Sequence, residues 1–117
     1  MIAEDEEDLR FLYREHIESS GHFVTTAENG SEALELFKNS PQGYNLLLTE
    51  QLMPLMTGIE LIEAVLKINV NIPIILATGY ADMETIDQIG SKHAYKCLVK
   101  PINRNVLQET VYRCIDR

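Results

Sequence analysis

Two uninterrupted apolar runs restrict the fold of this chain more than any other feature of its sequence. They are residues 46–49 (LLLT) and 72–77 (IPIILA), and neither alternates between apolar and polar residues. Strands that are covered on both faces show this pattern, whereas a strand with one wet face alternates. Pro73 lacks an amide donor, but it falls near the start of its run, where proline is tolerated. Both runs are therefore predicted to be central strands of a parallel sheet.

Helical periodicity fills the intervals between the strand signals. Weaker strand signals lie at residues 2–3, 23–26 and 97–99. Apolar residues spaced three and four apart, together with capping and stop signals, predict five helices. These are placed at about 6–20, at about 31–39 with Ser31 as its cap, from Gly58 to about Asn69, from a cap at Asp82, and from a cap at Asn103. Strands and helices therefore alternate as (βα)₅.

This alternation predicts an α/β fold. Parallel strands joined by helices need right-handed crossovers, which cover the sheet on both sides. Five such units are too few for an eight-stranded barrel, so we expect an open, doubly wound five-stranded parallel sheet. A length of 117 residues fits one domain, and residues 1–117 are predicted to form it.

Charge and the length of apolar runs exclude several classes of protein. The chain has 10 Lys+Arg against 18 Asp+Glu, a net charge of −8, whereas binding nucleic acid needs a basic face. No apolar run approaches the roughly 18 residues of a membrane span, and the start is acidic where a signal peptide needs basic residues. Cys97 and Cys114 are too few for a zinc site and fit a reducing compartment. We therefore expect a cytoplasmic domain that binds neither nucleic acid nor membrane.

Polar residues follow four of the predicted strands. Glu4 and Asp5 follow the first, Glu50 the third, Thr78 the fourth and Lys100 the fifth. Ligands of open α/β sheets bind beyond the carboxyl ends of the strands, so these side chains are candidates for one site. If the first and third strands are neighbours, three carboxylates crowd together and repel unless a cation neutralises them. Mg²⁺ suits such an all-oxygen site, while a lysine and a threonine suit phosphoryl oxygens.

Five segments carry a resemblance to a known family. They are residues 4–6 (EDE), 27–34 (AENGSEAL), 47–58 (LLTEQLMPLMTG), 77–80 (ATGY) and 99–101 (VKP). In this order and at this spacing they resemble the receiver domain of two-component response regulators, nearly end to end. The resemblance implies a flavodoxin-like sheet of strand order 2-1-3-4-5, with the first and fifth helices on one face and the other three on the opposite face. It also implies a signalling module rather than an enzyme, in which an aspartate accepts a phosphoryl group from a histidine kinase.

The resemblance implies a role for each acidic candidate. Glu50 stands at the phospho-acceptor position, four residues before Pro54. Mg²⁺ would be held by Glu4, Asp5, Glu50 and the backbone carbonyl of Leu52.

The remaining candidates receive roles from the same resemblance. Thr78 would be the hydroxyl that moves towards the phosphoryl group, and Lys100 would be the salt-bridging lysine. The peptide between Lys100 and Pro101 would be cis, a geometry that proline makes accessible. Cys97 occupies the position where the family usually has an aromatic switch residue.

Glu50 is the departure with the largest consequence. Its side chain is one methylene longer than that of aspartate, which moves the carboxylate by about 1.5 Å. Misplacement by roughly 1 Å can cost on the order of 10²-fold in rate, so efficient phosphotransfer to Glu50 is not expected. The carboxylate can also mimic a phosphoryl group in part, with one charge where phosphate has nearly two.

Three functional hypotheses follow from these residues. The favoured one is a degenerate receiver that signals without phosphorylation, binds Mg²⁺ weakly if at all, and has a sensor histidine kinase or other two-component proteins as partners. An effector domain or a second copy would dock on the fourth helix, fifth strand and fifth helix. The first alternative is a working receiver with impaired phosphotransfer. The second is a flavodoxin-like or phosphatase-like α/β enzyme, against which the chain lacks a Gly-rich phosphate loop after the first strand.

Overall fold

The computed structural model describes residues 1–79 and 96–115 of the chain. In chain order its elements are β1 (Ile2–Ala3), α1 (Glu7–Glu18), β2 (Thr26–Ala27), α2 (Gly30–Asn39), β3 (Leu47–Glu50), α3 (Gly58–Ile68), β4 (Ile74–Thr78), β5 (Lys96–Val99) and α4 (Arg104–Ile115). Helix α4 is the predicted fifth helix. The predicted fourth helix, from Asp82, lies outside the described residues. None of the helices within the described ranges combines the length and apolarity that a membrane crossing requires.

The five strands form one sheet in the order β2-β1-β3-β4-β5. Every neighbouring pair is parallel, so the predicted α/β class and strand order are confirmed. The two apolar runs became β3 and β4, which lie side by side at the centre and are buried along their whole length. Both strands extend to the polar residue that follows the apolar run, so Glu50 and Thr78 belong to the sheet.

Alternate residues of the central strands supply two apolar cores, one on each face of the sheet. Leu47 and Leu76 pack with α2 and α3, while Leu48 and Ile75 pack with α1 and α4. The prediction that the first and fifth helices share one face, opposite the second and third, is confirmed for these four helices. Because helices cover both faces, polar groups on the central strands reach solvent only at the strand ends.

The second strand differs from the prediction. Residues 23–26 were expected to form it, but β2 contains Thr26 and Ala27, and Phe23 is fully exposed. The Thr25 carbonyl accepts from the Ile2 amide at 2.9 Å, but the register of β1 and β2 includes neither Phe23 nor Val24. Strand propensity alone does not form a strand where no neighbouring strand pairs with the segment.

The cap of α2 also differs from the prediction. Asn29, and not Ser31, is the capping residue, because its Oδ1 accepts a hydrogen bond of 2.8 Å from the Glu32 amide. The cap at Asn103 is confirmed, since its Oδ1 accepts from the Val106 amide at 2.8 Å. Both residues satisfy amides that the first turn of a helix leaves without partners.

Candidate functional site

The polar residues at the strand ends meet at the carboxyl edge of the sheet. Glu50 ends β3 and lies opposite Ala77 of β4, while Thr78 ends β4 and lies opposite Val99 of β5. The amide of Lys100 donates to the Thr78 carbonyl at 2.8 Å, which extends the pairing of β4 and β5 by one residue. The register thus places the predicted acceptor, hydroxyl and lysine positions on three adjacent strands.

Lys100 lies between the two buried glutamates of this edge. Its Nζ is 2.7 Å from Glu4 Oε1 and 3.4 Å from Glu50 Oε2. The exposed fraction of the side chain is 2% for Glu4, 10% for Glu50 and 17% for Lys100. The first contact is a short charge-assisted hydrogen bond, whereas the second exceeds the usual N–H···O range and acts as a longer ion pair.

Glu4 is held from several directions besides Lys100. Its Oε2 accepts from the Glu6 amide at 3.3 Å, and its backbone carbonyl accepts from Arg10 Nη1 at 2.9 Å. Its own amide donates to the Ala27 carbonyl at 3.1 Å. Arg10 in turn lies 3.7 Å from the Glu28 carboxylate. Both carboxylate oxygens and both backbone polar groups of Glu4 therefore have partners.

Glu50 has a fixed backbone and an incompletely paired side chain. Thr49 Oγ1 donates to the Glu50 carbonyl at 3.0 Å, and a Cβ atom at Gly58 would collide with that same carbonyl oxygen. Only glycine fits at position 58, so the start of α3 packs directly on the end of β3. In contrast, Glu50 Oε2 is buried and accepts no hydrogen bond from any described residue.

The pKa values of Glu4, Glu50 and Lys100 are all shifted by burial and by the closeness of the three charges. Burial raises the pKa of Glu50, with Lys100 opposing the rise and the Glu4 charge adding to it. Burial likewise raises the pKa of Glu4 against the hydrogen bond and charge of Lys100. For Lys100, burial alone would lower the pKa, but the hydrogen bond to Glu4 and the charges of both glutamates outweigh it, so the pKa is raised. Two carboxylates share one ammonium here, which leaves the cluster short of positive charge.

The donor atoms suit Mg²⁺, but the Lys100 ammonium lies among them. Carboxylate oxygens are hard ligands of the kind that Mg²⁺ prefers. However, Lys100 Nζ takes the place between Glu4 and Glu50 where a shared cation would lie, and Asp5 is exposed. Within residues 1–79 and 96–115, no group of three or more His, Cys, Asp or Glu is arranged to hold a metal ion. The metal role of Glu4, Asp5, Glu50 and the Leu52 carbonyl stays a prediction.

The other predicted positions lie around this cluster. Thr78 is buried, and the Lys100-Pro101 peptide is cis, as the resemblance implies. Cys97 lies opposite Leu76 in β5 and packs, partly buried, against the core on the α2 and α3 side. The roles of Thr78 and Cys97 in signalling stay predictions.

Two residues of the site were not predicted from the sequence. Tyr13 falls within the predicted first helix, and it is buried. Burial raises the pKa of its hydroxyl, which lies near enough for the Lys100 charge to oppose the rise and the Glu4 and Glu50 charges to add to it. Arg10, which binds the Glu4 carbonyl, was not singled out. Helical periodicity shows which side of α1 faces the sheet, but not which polar atom lies near the strand ends.

Comparisons with known proteins agree with this architecture. A sequence model described as the response regulator receiver domain matches residues 1–112. The response regulator receiver protein CpdR of Brucella abortus is 33% identical over 110 residues, which cover 93% of this chain and 90% of CpdR. The two-component response regulator-like protein APRR7 of Arabidopsis thaliana is 29% identical over 92% of this chain, which spans 15% of its length.

One solved structure is both similar and informative about the site. The response regulator protein TrrA of Thermotoga maritima, in complex with Mg²⁺ and BeF, is 30% identical and superposes with a TM-score of 0.85. The match covers 97% of this chain and 96% of TrrA. In that protein the fold accompanies a bound divalent cation.

Proposed function

The chain belongs to the response regulator receiver domain family, and from this premise we propose that residues 1–117 act as a degenerate receiver. Such a module takes part in a two-component pathway by presenting a fixed binding surface, without phosphorylation at Glu50. One observation carries the proposal: the residue at the end of β3 is a glutamate, and its buried carboxylate already lies against Lys100 at 3.4 Å.

The geometry of β3 opposes phosphotransfer to Glu50. The longer side chain carries the attacking oxygen about 1.5 Å beyond the reach of an aspartate. A backward shift of the strand cannot easily compensate, because β3 is paired with β4 up to Glu50 and the Glu50 carbonyl packs against Gly58. In-line attack tolerates little misplacement, so the expected loss in rate is on the order of 10²-fold.

The charges of the site support the same conclusion. Lys100 is engaged by Glu4 and Glu50 before any phosphoryl group arrives. When it is ionised, the Glu50 carboxylate supplies a negative charge next to this lysine, as an incoming phosphoryl group would. A divalent cation would have to displace the Lys100 ammonium, so we propose that Mg²⁺ binds weakly.

Partners follow from the family and from the surface. We propose that the chain works in the cytoplasm with a sensor histidine kinase or with other two-component proteins. The proposed docking face for an effector domain or a second copy includes β5 and α4, where Val106 and Tyr112 are exposed apolar side chains. The net charge of −8 supports a protein partner over nucleic acid.

Intact mass spectrometry after incubation with acetyl phosphate and MgCl₂ tests the proposal. The natural sequence should gain no mass, whereas Glu50→Asp should gain one phosphoryl group. Glu50→Asn is the matched control, because it has the length of aspartate without a nucleophilic oxygen, and it should stay unmodified. Robust phosphorylation of the natural sequence would overturn the degenerate-receiver proposal and favour a working receiver.

A further inference from the structure

We infer that Glu4 is a positioning residue that holds the Lys100 ammonium on the β1 side of the site and keeps it from forming a short hydrogen bond with residue 50. The inference deepens the proposed function and, for its second test, rests on it. The resemblance gives Glu4 a place among the metal ligands, whereas the structure shows it bonded to the lysine. Glu4 would then contribute to inactivity independently of the extra methylene of Glu50.

The two glutamates compete for one ammonium, and Glu4 has the shorter contact. Lys100 Nζ lies 2.7 Å from Glu4 Oε1 but 3.4 Å from Glu50 Oε2. Only the first distance lies within the range of a charge-assisted hydrogen bond. Glu50 Oε2 accepts no hydrogen bond from the described part of the chain although it is buried. A buried acceptor without a donor costs free energy, so the lysine would move to Glu50 if Glu4 did not hold it.

Glu4 makes the shorter contact with Lys100 because hydrogen bonds hold both its carboxylate and its backbone in place. The Glu6 amide holds its second carboxylate oxygen, Arg10 holds its carbonyl, and its amide is paired with Ala27 of β2. The backbone of Lys100 is also fixed, through the Thr78 carbonyl. The mobile part is the lysine side chain, whose ammonium is a point charge with three donors on a flexible stem. Its location therefore depends on which carboxylate comes closest.

This capture has a consequence for phosphoryl transfer. Donors stabilise a transition state only when they lie where the charge develops, and loss of one such donor costs about 10²–10³ in rate. Glu50→Asp would withdraw the carboxylate from Lys100 and leave the ammonium with Glu4. The single variant should therefore react, but slowly. Shortening Glu4 as well should release the lysine and accelerate the reaction by at least about tenfold, a part of that donor contribution.

Direct NMR detection of the Lys100 ammonium tests the location of the lysine without any phosphorylation. A hydrogen-bonded ammonium exchanges its protons with water more slowly than a solvated one. In the natural background, Glu4→Gln should accelerate proton exchange of the Lys100 ammonium at least tenfold, and Glu50→Gln should leave it within about twofold, since only the first variant removes a strong charge-assisted bond. The amide spectrum reports whether each variant is folded, and Glu4→Asp serves in its place if Glu4→Gln is not.

Glu109→Gln is the matched control for this measurement. Glu109 Oε1 also lies 2.7 Å from a cation, Arg113 Nη2, but on the exposed surface of α4. Its replacement removes the same charge without touching the site, so the Lys100 signal should not change. The opposite pattern, in which Glu50→Gln accelerates exchange and neither Glu4 variant does, would overturn the inference.

The second test compares phosphorylation rates of Glu50→Asp and of the double variant Glu4→Asp/Glu50→Asp. In this reaction a carboxylate oxygen at position 50 attacks the phosphorus of acetyl phosphate, the bond from phosphorus to the acetyl oxygen breaks, and acetate leaves with the electron pair. The double variant should react at least tenfold faster than the single one, while Glu109→Asp/Glu50→Asp should match the single one. Equal rates for all three would overturn the inference and leave the degenerate-receiver proposal intact. If none of them reacts, the role proposed for Glu50 fails, and the exchange measurement alone decides the role of Glu4.

Discussion

The central strands and the last strand both contribute residues to the site, but they are buried to different degrees. Strands β3 and β4 are buried along their whole length, whereas in β5 Lys96 is exposed and Cys97, Leu98 and Val99 are half-buried. The carboxylate and the hydroxyl of the site come from the first region, and the lysine follows the second.

This difference in burial bears on the effect of the extra methylene that Glu50 has compared with aspartate. The backbone at the end of β3 is held by its pairing with β4 and by the contact of Gly58 with the Glu50 carbonyl. The Lys100 side chain, in contrast, lies within reach of two carboxylates. Under the proposed function, the held backbone turns the extra methylene of Glu50 into a misplaced nucleophile, whereas the lysine can adjust its position.

The largest expected effect is on the free energy of unfolding, which should differ between variants of β4 and variants of β5. Leu76→Ala in β4 removes a side chain that is fully buried, and it should lower the free energy of unfolding by roughly 2–5 kcal/mol. Leu98→Ala in β5 is the same chemical change at a half-buried position, and less than about half that loss is expected. Urea denaturation measures both. Equal losses would show that β5 is packed as tightly as β4.

The second prediction concerns the rigidity of β3. In the phosphodonor assay proposed above, Glu50→Asp should react faster than the natural sequence by on the order of 10²-fold. A variant that disturbs the packing at the end of β3 should reduce this difference in rate. In Gly58→Ala, whose added Cβ would collide with the Glu50 carbonyl and displace the end of β3, the Glu50→Asp change should raise the rate by a smaller factor. An undiminished gain would show that the packing of Gly58 on this carbonyl does not set the reach of residue 50.

The third prediction concerns pH. The pKa of Glu50 is raised in the folded protein, first by burial, so the folded state binds more protons than the unfolded state as pH rises above the ordinary glutamate value. The contribution of Glu50 to stability is therefore present at acidic pH and is lost as pH rises through its folded pKa.

Glu50→Gln should remove this dependence. By urea denaturation, the variant should gain stability relative to the natural sequence as pH rises from the ordinary glutamate pKa towards pH 7.5. Glu109→Gln, at an exposed ion pair on α4, is the control and should show no comparable trend. A relative loss of stability for Glu50→Gln at pH 7.5 would contradict the raised pKa.

The smallest expected effect lies in β5. After phosphorylation of Glu50→Asp, amide chemical shifts over residues 96–115 should change little, because Cys97 offers no bulky ring to follow a movement of Thr78. Adding Cys97→Tyr should enlarge those changes along β5 and α4. Large changes with Cys97 in place would show that the last strand transmits the signal without an aromatic residue.

The sequence by itself determined the framework. Continuous apolar runs predicted β3 and β4, periodic stripes predicted α1, α2, α3 and α4, and alternation predicted the parallel sheet that the structure confirms. The candidate site residues came from the polar ends of the predicted strands, their individual roles came from the family resemblance, and the strand order came from right-handed crossovers together with that resemblance. These signals are readable because burial on two faces and helical packing each impose a local pattern on the residues.

Only the tertiary structure decided how far β2 extends and which carboxylate holds the lysine. The pairing of β1 with the second strand reaches back to the Thr25 carbonyl and leaves Phe23 exposed, and the bond from Lys100 to Glu4 joins residues that lie 96 positions apart. Glu4 and Glu50 are the same residue type with the same local signal, so the sequence gives no reason to prefer either. The preference rests on a difference of less than one ångström between the two contacts of Lys100 Nζ, and these contacts exist only in the folded sheet.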